Sequence, residues 1–342
     1  DPAEIPQLWA VFTEVQRYYD KGFKVPDDVM LLFCDNNWGY IRRVGPWQEQ
    51  RRKGGMGLYY HVDMNGGPWN DRWINTTTIP KLREQFNLAY QSGIDDLWVV
   101  NVGDLKPKEL PIDFIMRYAW NPDAIQADET DDYLRQWAQQ NFGEAHAEAI
   151  SGLVARYSKY NLWRKPEVQS TNIFSVVNHC EADRVTDLWR TLAHEADSVG
   201  QLMPQAYKDA YYQLVLYPVK ASAGVAEIYL AAAKNRLYAR RVEELYTVDT
   251  VMTAYYNKVL AGGKWEKMMS DIHLGYTKWS MPKRDSVPQV VRVEPLSKPT
   301  MGVAVEGCET LSPEGELELP VFDNFENRKY YIDIFNRGTG TF

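Results

Sequence analysis

The chain has 342 residues, 45% of them hydrophobic and 25% charged, which is the composition of a folded globular protein of two or three domains. Its formal net charge of -8 and interspersed basic residues argue against nucleic acid as a partner. No apolar run in the sequence suggests a membrane span, and the three cysteines lack the spacing of a zinc site or a disulfide framework, so no cofactor or metal is expected.

The first third of the chain alternates between helix and strand signals. The spacing of its apolar residues predicts a helix over Gln7–Tyr19. Short continuous apolar runs then predict three strands, which are Val29–Phe33, Met56–Val62 and Leu97–Val100. Helices are expected between Thr78 and Gly93 and over Ile112–Ala119. Buried strands alternating with helices indicate a parallel sheet.

From Thr130 to about Asp271 the pattern is that of helices alone. The predicted helices are Asp131–Asn141, Glu144–Trp163, Val176–Val199, Gln205–Leu216, Val219–Glu244 and Val248–Leu260. Long helices with short connections predict a bundle. A proline-rich stretch over 282–298 predicts a linker. The segments Thr300–Ala304, Leu317–Val321 and Arg328–Phe335 then predict antiparallel strands.

Polar and aromatic side chains follow each predicted parallel strand, where α/β proteins bind ligands. After the first strand come Asp35, Asn36, Asn37, Trp38 and Arg42. Carboxylates and amides suit sugar hydroxyls, aromatic rings suit sugar faces, and an arginine suits a sugar carboxylate. A turn whose asparagines cap backbone groups is the alternative interpretation.

Glu49 lies in the same loop, within a strongly basic run that precedes Gly54 and Gly55. A general acid needs a carboxyl group whose pKa is raised, whereas neighbouring cations lower it. The alternative is a surface glutamate in a run of charges.

The loop after the second strand carries His61, Asp63, Trp69, Asn70 and Asn75. His61 and Asp63 share one face of the strand end because side chains alternate along a strand. A long polar and aromatic loop after a buried strand is typical of a functional site.

The loop after the third strand carries Asn101, Asp104 and Lys106, and the lysine is a candidate partner for a sugar carboxylate. The alternative is a βα turn in which Asp104 caps the following helix.

Taken together, these segments resemble glycoside hydrolase family 115. The residues that carry the resemblance, in chain order, are Asp35–Gly39 with Arg42 and Arg43, Glu49–Gly55, Gly57–Val62, Gly66–Pro68, Trp73–Thr76, Trp98–Pro107, His273–Thr277 and Phe335–Gly338. They span nearly the whole chain.

The resemblance implies part of a (β/α)8 barrel over residues 1–125, a helical bundle over 126–283, and a linker with the start of a β-sandwich over 284–342. We expect the natural protein to extend further at both ends. The implied activity is α-glucuronidase activity, the inverting hydrolysis of the α-1,2 bond that joins glucuronic acid, or its 4-O-methyl form, to xylan.

The resemblance assigns the general acid to Glu49. The catalytic base is expected outside this chain or in a loop such as that of Asp35. The implied partner is xylan or glucuronoxylan, and the implied location is secreted, periplasmic or at the surface of a polysaccharide-degrading microbe. The helical bundle could mediate homodimerisation.

Asn36 and Asn70 depart from the family pattern because carboxylates are expected at these positions. A catalytically inactive carbohydrate-binding homologue is therefore the second hypothesis. A partner-binding helical scaffold is the third, although it leaves the loop aromatics unexplained.

Overall fold

The computed structural model describes residues 5–46, 52–66, 70–176, 178–234, 239–276, 281–288, 298, 301–305 and 332–336. For 239–244, 302–305 and 332–336 it describes the backbone alone.

A four-stranded parallel sheet forms the first part of the chain. Its strands are β1 (Gln7–Val11), β2 (Val29–Cys34), β3 (Met56–His61) and β4 (Leu97–Asn101). They lie side by side in chain order, and the register places Phe33 opposite Leu58 and Leu58 opposite Trp98. All three predicted strands are therefore confirmed.

The predicted helix over Gln7–Tyr19 is wrong in its first half. Residues 7–11 form β1, paired with β2, and the helix α1 begins only at Glu14 and ends at Asp20. The apolar residues of this segment fit both periods: Trp9 and Val11 alternate onto the core while Leu8 points away from it. Pairing with the neighbouring strand decides the outcome, a tertiary effect that local spacing does not contain.

Helices cover one face of this sheet. They are α1, α2 (Ile79–Gln91) and α3 (Glu109–Trp120). On the covered face, Phe33, Leu58 and Tyr60 pack in one core with the buried side of α2. On the opposite face, Leu8 is 52% and Val99 is 37% exposed in the described part of the chain. Strand order equal to chain order is typical of (β/α) barrels, and a closed barrel remains a prediction.

The helices that follow from Thr130 onward confirm the change to a helical pattern predicted from that residue. They are α4 (Thr130–Phe142), α5 (Ala147–Trp163), α6 (Glu181–Leu202), α7 (Lys208–Tyr211), α8 (Tyr217–Ala233) and α9 (Ala239–Lys258). α4, α5 and α6 join the core of the sheet, and α8 and α9 form a second core with Trp73 and Ile74 from the loop after β3. The helices therefore hold the loops that follow the strands.

Two predicted helix breaks are wrong. The helix does not stop between Leu216 and Val219, because a π-turn over Tyr212–Leu216 joins α7 to α8 without interruption. The second predicted break, between Glu244 and Val248, is also absent, because α9 runs through this segment. In the first case Pro218, two residues after the π-turn, lacks an N–H, so the continuous helix omits one backbone hydrogen bond there without ending.

The continuous helix Gln205–Ala233 is long and apolar enough to cross a membrane by length and composition. However, 72% of its apolar window is buried inside the protein, as in the core helix of a globular fold.

Strands β5 (Met301–Val305) and β6 (Ile332–Asn336) pair antiparallel near the end of the chain. They match two of the three predicted strands, and Leu317–Val321 lies outside the described residues. A β-sandwich and the three domain boundaries remain predictions.

Candidate active site at the carboxyl edge of the sheet

The ends of β2 and β3 place a carboxylate against a histidine. His61 Nδ1 lies 2.6 Å from Asp35 Oδ1, and the His61 backbone N–H donates to Asp35 Oδ2 at 3.0 Å. Asp35 is fully buried, and burial raises its pKa although its hydrogen bonds to His61 oppose this. Among the described residues, His61 Nε2 has no hydrogen-bond partner. The pair therefore orients the imidazole and leaves Nε2 available.

A second carboxylate, Asp63, follows the end of β3. The backbone N–H groups of Val62 and Asp63 both donate to the Asn101 carbonyl, which fixes this loop to the end of β4. Burial raises the pKa of Asp63 to about 6, while Lys108 and Arg72 oppose the shift. Such a carboxyl group can exchange a proton near neutral pH.

Glycine at position 103 leaves the space that Asp63 occupies. Gly103 has a φ of +57°, and a Cβ atom there would lie 2.2 Å from Asp63 Oδ2. The Asn101 side chain accepts a hydrogen bond from the Gly103 N–H at 3.0 Å, which stabilises the turn. The loop after β4 thus shapes the surroundings of a carboxylate on β3.

A buried ion pair connects the helical region to the two preceding loops. Lys165, which follows α5, pairs with Asp71 and donates to the Asn37 carbonyl at 3.2 Å. The Thr76 hydroxyl donates to Asp71 Oδ1 at 3.1 Å. Burial acts to raise the pKa of Asp71, but the charges of Lys165 and Lys108 hold it below its ordinary value. One ammonium group therefore holds the loops after β2 and β3 together.

Glu167 fixes the same region through the backbone. Its Oε1 accepts the N–H groups of Arg72 and Trp73, each at 2.9 Å. Oε2 is buried and has no hydrogen-bond partner within the described ranges, and burial raises the pKa of this carboxyl group. Asp71, close by, raises it further.

Cations surround Asp63. Lys108 is buried and donates to the Ile74 carbonyl at 2.7 Å, and burial lowers its pKa. Arg72 lies between two carboxylates. Its Nε is 4.0 Å from Asp63 Oδ1, and its Nη2 is 3.6 Å from Asp271 Oδ2. The Arg72 side chain is 28% exposed, so its guanidinium can reach a ligand that occupies this edge. In the described residues no group of three or more histidine, cysteine or acidic side chains is placed to hold a metal ion.

Several sequence-predicted residues shape the loops. Asn36 accepts the N–H groups of Trp38 and Tyr40 and so forms the turn given as the alternative interpretation. Asn37 donates to the Gly66 carbonyl at 3.0 Å, and Asn70 accepts the Gly66 N–H at 2.6 Å. These asparagines join the loops, and their contacts with substrate remain predictions.

Other predicted residues are engaged in contacts within the protein. Asn75 is buried and donates to the Thr77 carbonyl and the Tyr157 hydroxyl. Lys106 pairs with Glu109 and lies 4.7 Å from the centre of the Trp265 ring.

Arg42 and Asp104 are exposed. Asp104 does not cap α3, which begins at Glu109 with Lys108 as its N-cap residue. The centre of the Trp38 ring lies 5.8 Å from Lys165 Nζ, next to the Lys165–Asp71 ion pair. Glu49 and Trp69 lie outside the described residues, and their roles stay predictions.

Sequence reasoning missed the residues that hold this edge together. They are Asp71, Arg72, Lys108, Lys165 and Glu167. Lys108 and Asp71 belong to loops already identified, but Lys165 and Glu167 lie about a hundred residues further along. The one local signal is Pro166, which follows the end of α5 and stands between Lys165 and Glu167.

Comparison with known proteins agrees with the resemblance. Residues 1–168 match the model of glycosyl hydrolase family 115. A solved structure, the family GH115 4-O-methyl-α-glucuronidase BtGH115A, described as having specificity for decorated arabinogalactans, superposes with a TM-score of 0.73 at 27% sequence identity. The match covers 88% of this chain and 43% of BtGH115A, so the chain spans less than half the length of that protein. No protein with a curated description matches.

Proposed function

Since residues 1–168 belong to glycosyl hydrolase family 115, we propose that the protein is a glycoside hydrolase that releases glucuronic acid, or its 4-O-methyl form, from a polysaccharide. The observation that carries this proposal is Asp63, a carboxyl group with a pKa of about 6 at the carboxyl edge of a parallel sheet. It lies beside Arg72, a cation that suits a uronic acid. Release of glucuronic acid requires acid–base groups and a group that binds the sugar carboxylate, and Asp63 and Arg72 can supply one of each.

The proposed reaction is hydrolysis with inversion. Inversion needs a general acid and a water-activating base about 6.5–9.5 Å apart. Glu49 serves as the acid, in accordance with the family resemblance. Asp63 serves as the base, because burial raises its pKa and thereby its basicity. Asp35, which is fully buried, acts through His61 by orienting the imidazole toward the sugar hydroxyls.

Arg72 binds the glucuronate carboxylate in this proposal. Its Nε is buried without a hydrogen-bond partner among the described residues, and part of its side chain is exposed. A carboxylate forms two parallel hydrogen bonds with a guanidinium, which fixes the sugar's orientation as well as its charge. Lys108 and Lys165, both buried, contribute positive potential rather than direct contact.

The glycosidic bond is proposed to be the α-1,2 bond to xylose in glucuronoxylan. The description of BtGH115A favours a second polymer class, a decorated arabinogalactan, in which the same sugar acid terminates a different side chain. Both substrates lie outside the cell of a polysaccharide-degrading microbe, so we propose a secreted, periplasmic or surface location.

We further propose that the four parallel strands are part of a closed (β/α)8 barrel. Within the described ranges, helices cover one face of the sheet, whereas the side chains of Leu8 and Val99 on the other face are exposed. All-parallel sheets are normally covered on both faces. Further strands that close the barrel would bury this apolar face.

The test is release of glucuronic acid by the natural protein, assayed on glucuronoxylan and on arabinogalactan side by side. Replacing the general acid, Glu49→Gln, should reduce kcat by about 10²- to 10⁴-fold and preserve affinity for the sugar acid. Glu144→Gln, the same change at an exposed position, is the matched control.

A Glu49→Gln enzyme with a normal rate would refute the role of Glu49. Binding without turnover by the unaltered protein would select the second hypothesis, an inactive carbohydrate-binding homologue.

A further inference from the structure

A cleft of about 690 Å³ lies between α3 and α4, outside the candidate active site. Its lining includes Asp113, Met116, Trp120, Asn121, Tyr133 and Gln136. Trp120, the last residue of α3, is 91% exposed, and Met116 one turn earlier is 54% exposed. An indole with nearly all its surface in water adds little packing energy to the fold, and its position at a cleft leaves its ring face available to a ligand.

The cleft lies at the opposite edge of the sheet from the active site. α3 follows β4, so its first residue is near the carboxyl edge and its last residue near the amino edge. Trp120 is eleven residues after Glu109, or about 16 Å along the helix axis. Barrel and doubly wound enzymes react at the carboxyl edge, so this cleft is a separate site and not a subsite of the catalytic one.

The charges of the cleft select against anions. Three carboxylates line it, which are Asp113, Glu129 and Asp132, against the single cation Arg117. That cation is engaged, because its Nε pairs with Asp113 at 2.9 Å and its Nη2 donates to Gln140 at 2.7 Å. A glucuronate or phosphate group would therefore be repelled.

The same groups suit neutral hydroxyls. An ionised carboxylate has about four lone-pair sites, so Asp113 retains acceptor capacity beside the Tyr133 hydroxyl, 2.7 Å away. Asn121 and Gln136 add amide groups that both donate and accept. The face of the Trp120 indole carries partial negative charge and attracts the C–H groups of a sugar ring.

We propose that this cleft binds neutral pyranose residues of the polysaccharide main chain, with Trp120 as the stacking platform. The choice of sugar rests on the proposed function. The main chain lacks the carboxylate that the active site is proposed to recognise, so the two sites recognise different parts of one polymer. Binding at the second site raises the local concentration of side chains near the first.

The test is affinity gel electrophoresis of the natural protein in gels that contain a polysaccharide freed of uronic acid. One gel contains xylan and another contains arabinogalactan, which distinguishes the two sources of neutral sugars. Trp120→Ala should weaken retardation about five- to tenfold, and Trp120→Phe should retain most of it. Leu202→Ala removes another exposed apolar side chain, at the end of α6, and should have no effect.

Activity on a short glucuronosyl oligosaccharide should be equal in Trp120→Ala and the unaltered protein, because the cleft lies far from the active site. The proposal is overturned if the unaltered protein is not retarded in either gel. It is also overturned if retardation is indifferent to Trp120, or if Trp120→Ala changes the sedimentation mass, which would place a second copy on this face. Retardation that depends on Trp120 without any release of glucuronic acid would refute the proposed function and leave this site standing.

Discussion

Replacing Lys165 by methionine should destabilise the protein strongly. The Lys165 and Asp71 side chains are each only 6% exposed. Loss of the ammonium group leaves a buried carboxylate without its main counter-charge, which typically costs about 3–5 kcal/mol. Lys108 still acts on Asp71, so the lower end of this range, about 3 kcal/mol, is expected. The hydrogen bond to the Asn37 carbonyl is lost as well.

The assay is urea unfolding followed by tryptophan fluorescence at pH 7. The matched control is Lys220→Met, which breaks a partly exposed pair with Asp197, whose side chains are 33% and 40% exposed. Exposed pairs contribute at most about 1 kcal/mol. The double variant Lys165→Met/Asp71→Asn removes both charges and should regain most of the loss.

Two results would refute this reasoning. If Lys165→Met costs no more than Lys220→Met, the pair does not hold the loops. If the double variant is as unstable as the single one, the cost is lost packing and not an uncompensated charge.

Three further predictions concern the loops around Asp63 and the second core. Gly103→Ala should destabilise the protein by about 2–3 kcal/mol and lower activity, because its Cβ would lie 2.2 Å from Asp63 Oδ2. The control is Gly22→Ala, also at positive φ but with open space around it, which should cost about 1 kcal/mol. Equal costs for the two variants would contradict a clash with Asp63. Burial raises the pKa of Asp63 to about 6, so this group destabilises the fold progressively as pH rises through 6. Asp63→Asn should therefore raise Tm at pH 8 more than at pH 5 while abolishing turnover, and an unchanged Tm difference would oppose the pKa assignment. Burial lowers the pKa of His273, but its hydrogen bond to Asp249 outweighs this and raises the pKa to about 9. The stability that the protonated His273 contributes is complete below pH 6.5 and is lost as pH rises through 9. Asp249→Asn should therefore flatten the decline of Tm between pH 7 and 10. An unaltered slope would contradict the raised pKa of His273.

The parallel sheet was predictable where the sequence is unambiguous. The run Val29–Phe33 is apolar without interruption, and only a strand buried on both faces or a short buried helix segment has that pattern. Gln7–Val11 was not predictable, because its apolar spacing fits a helix as well as a strand and only pairing with β2 decides. The break expected after Leu216 failed for a related reason: the π-turn keeps the backbone hydrogen-bonded where the pattern of side chains changes.

The position of the candidate site was predictable, but its construction was not. Residues after consecutive parallel strands must meet at one edge, so Asp35 and His61 could be expected to lie close together. Lys165 and Glu167 reach that edge from the end of α5, and nothing in their local sequence indicates that they contact the loop after β3. Asn75 shows the converse, since a residue in the same loop as Asp63 is buried and donates to the Tyr157 hydroxyl.

The π-turn over Tyr212–Leu216 also bears on how this helix arose. A π-turn contains one residue more than the α-helical turn it replaces, so it is the trace that a single-codon insertion leaves in a helix. Each residue turns an α-helix by about 100°. A regular α-helix that kept the extra residue would rotate everything after it by that angle, whereas the π-turn absorbs the residue locally and keeps Ser222 2.8 Å from Asn161. A relative with a regular helix at this place should therefore be one residue shorter and keep the same inward-facing positions along α8.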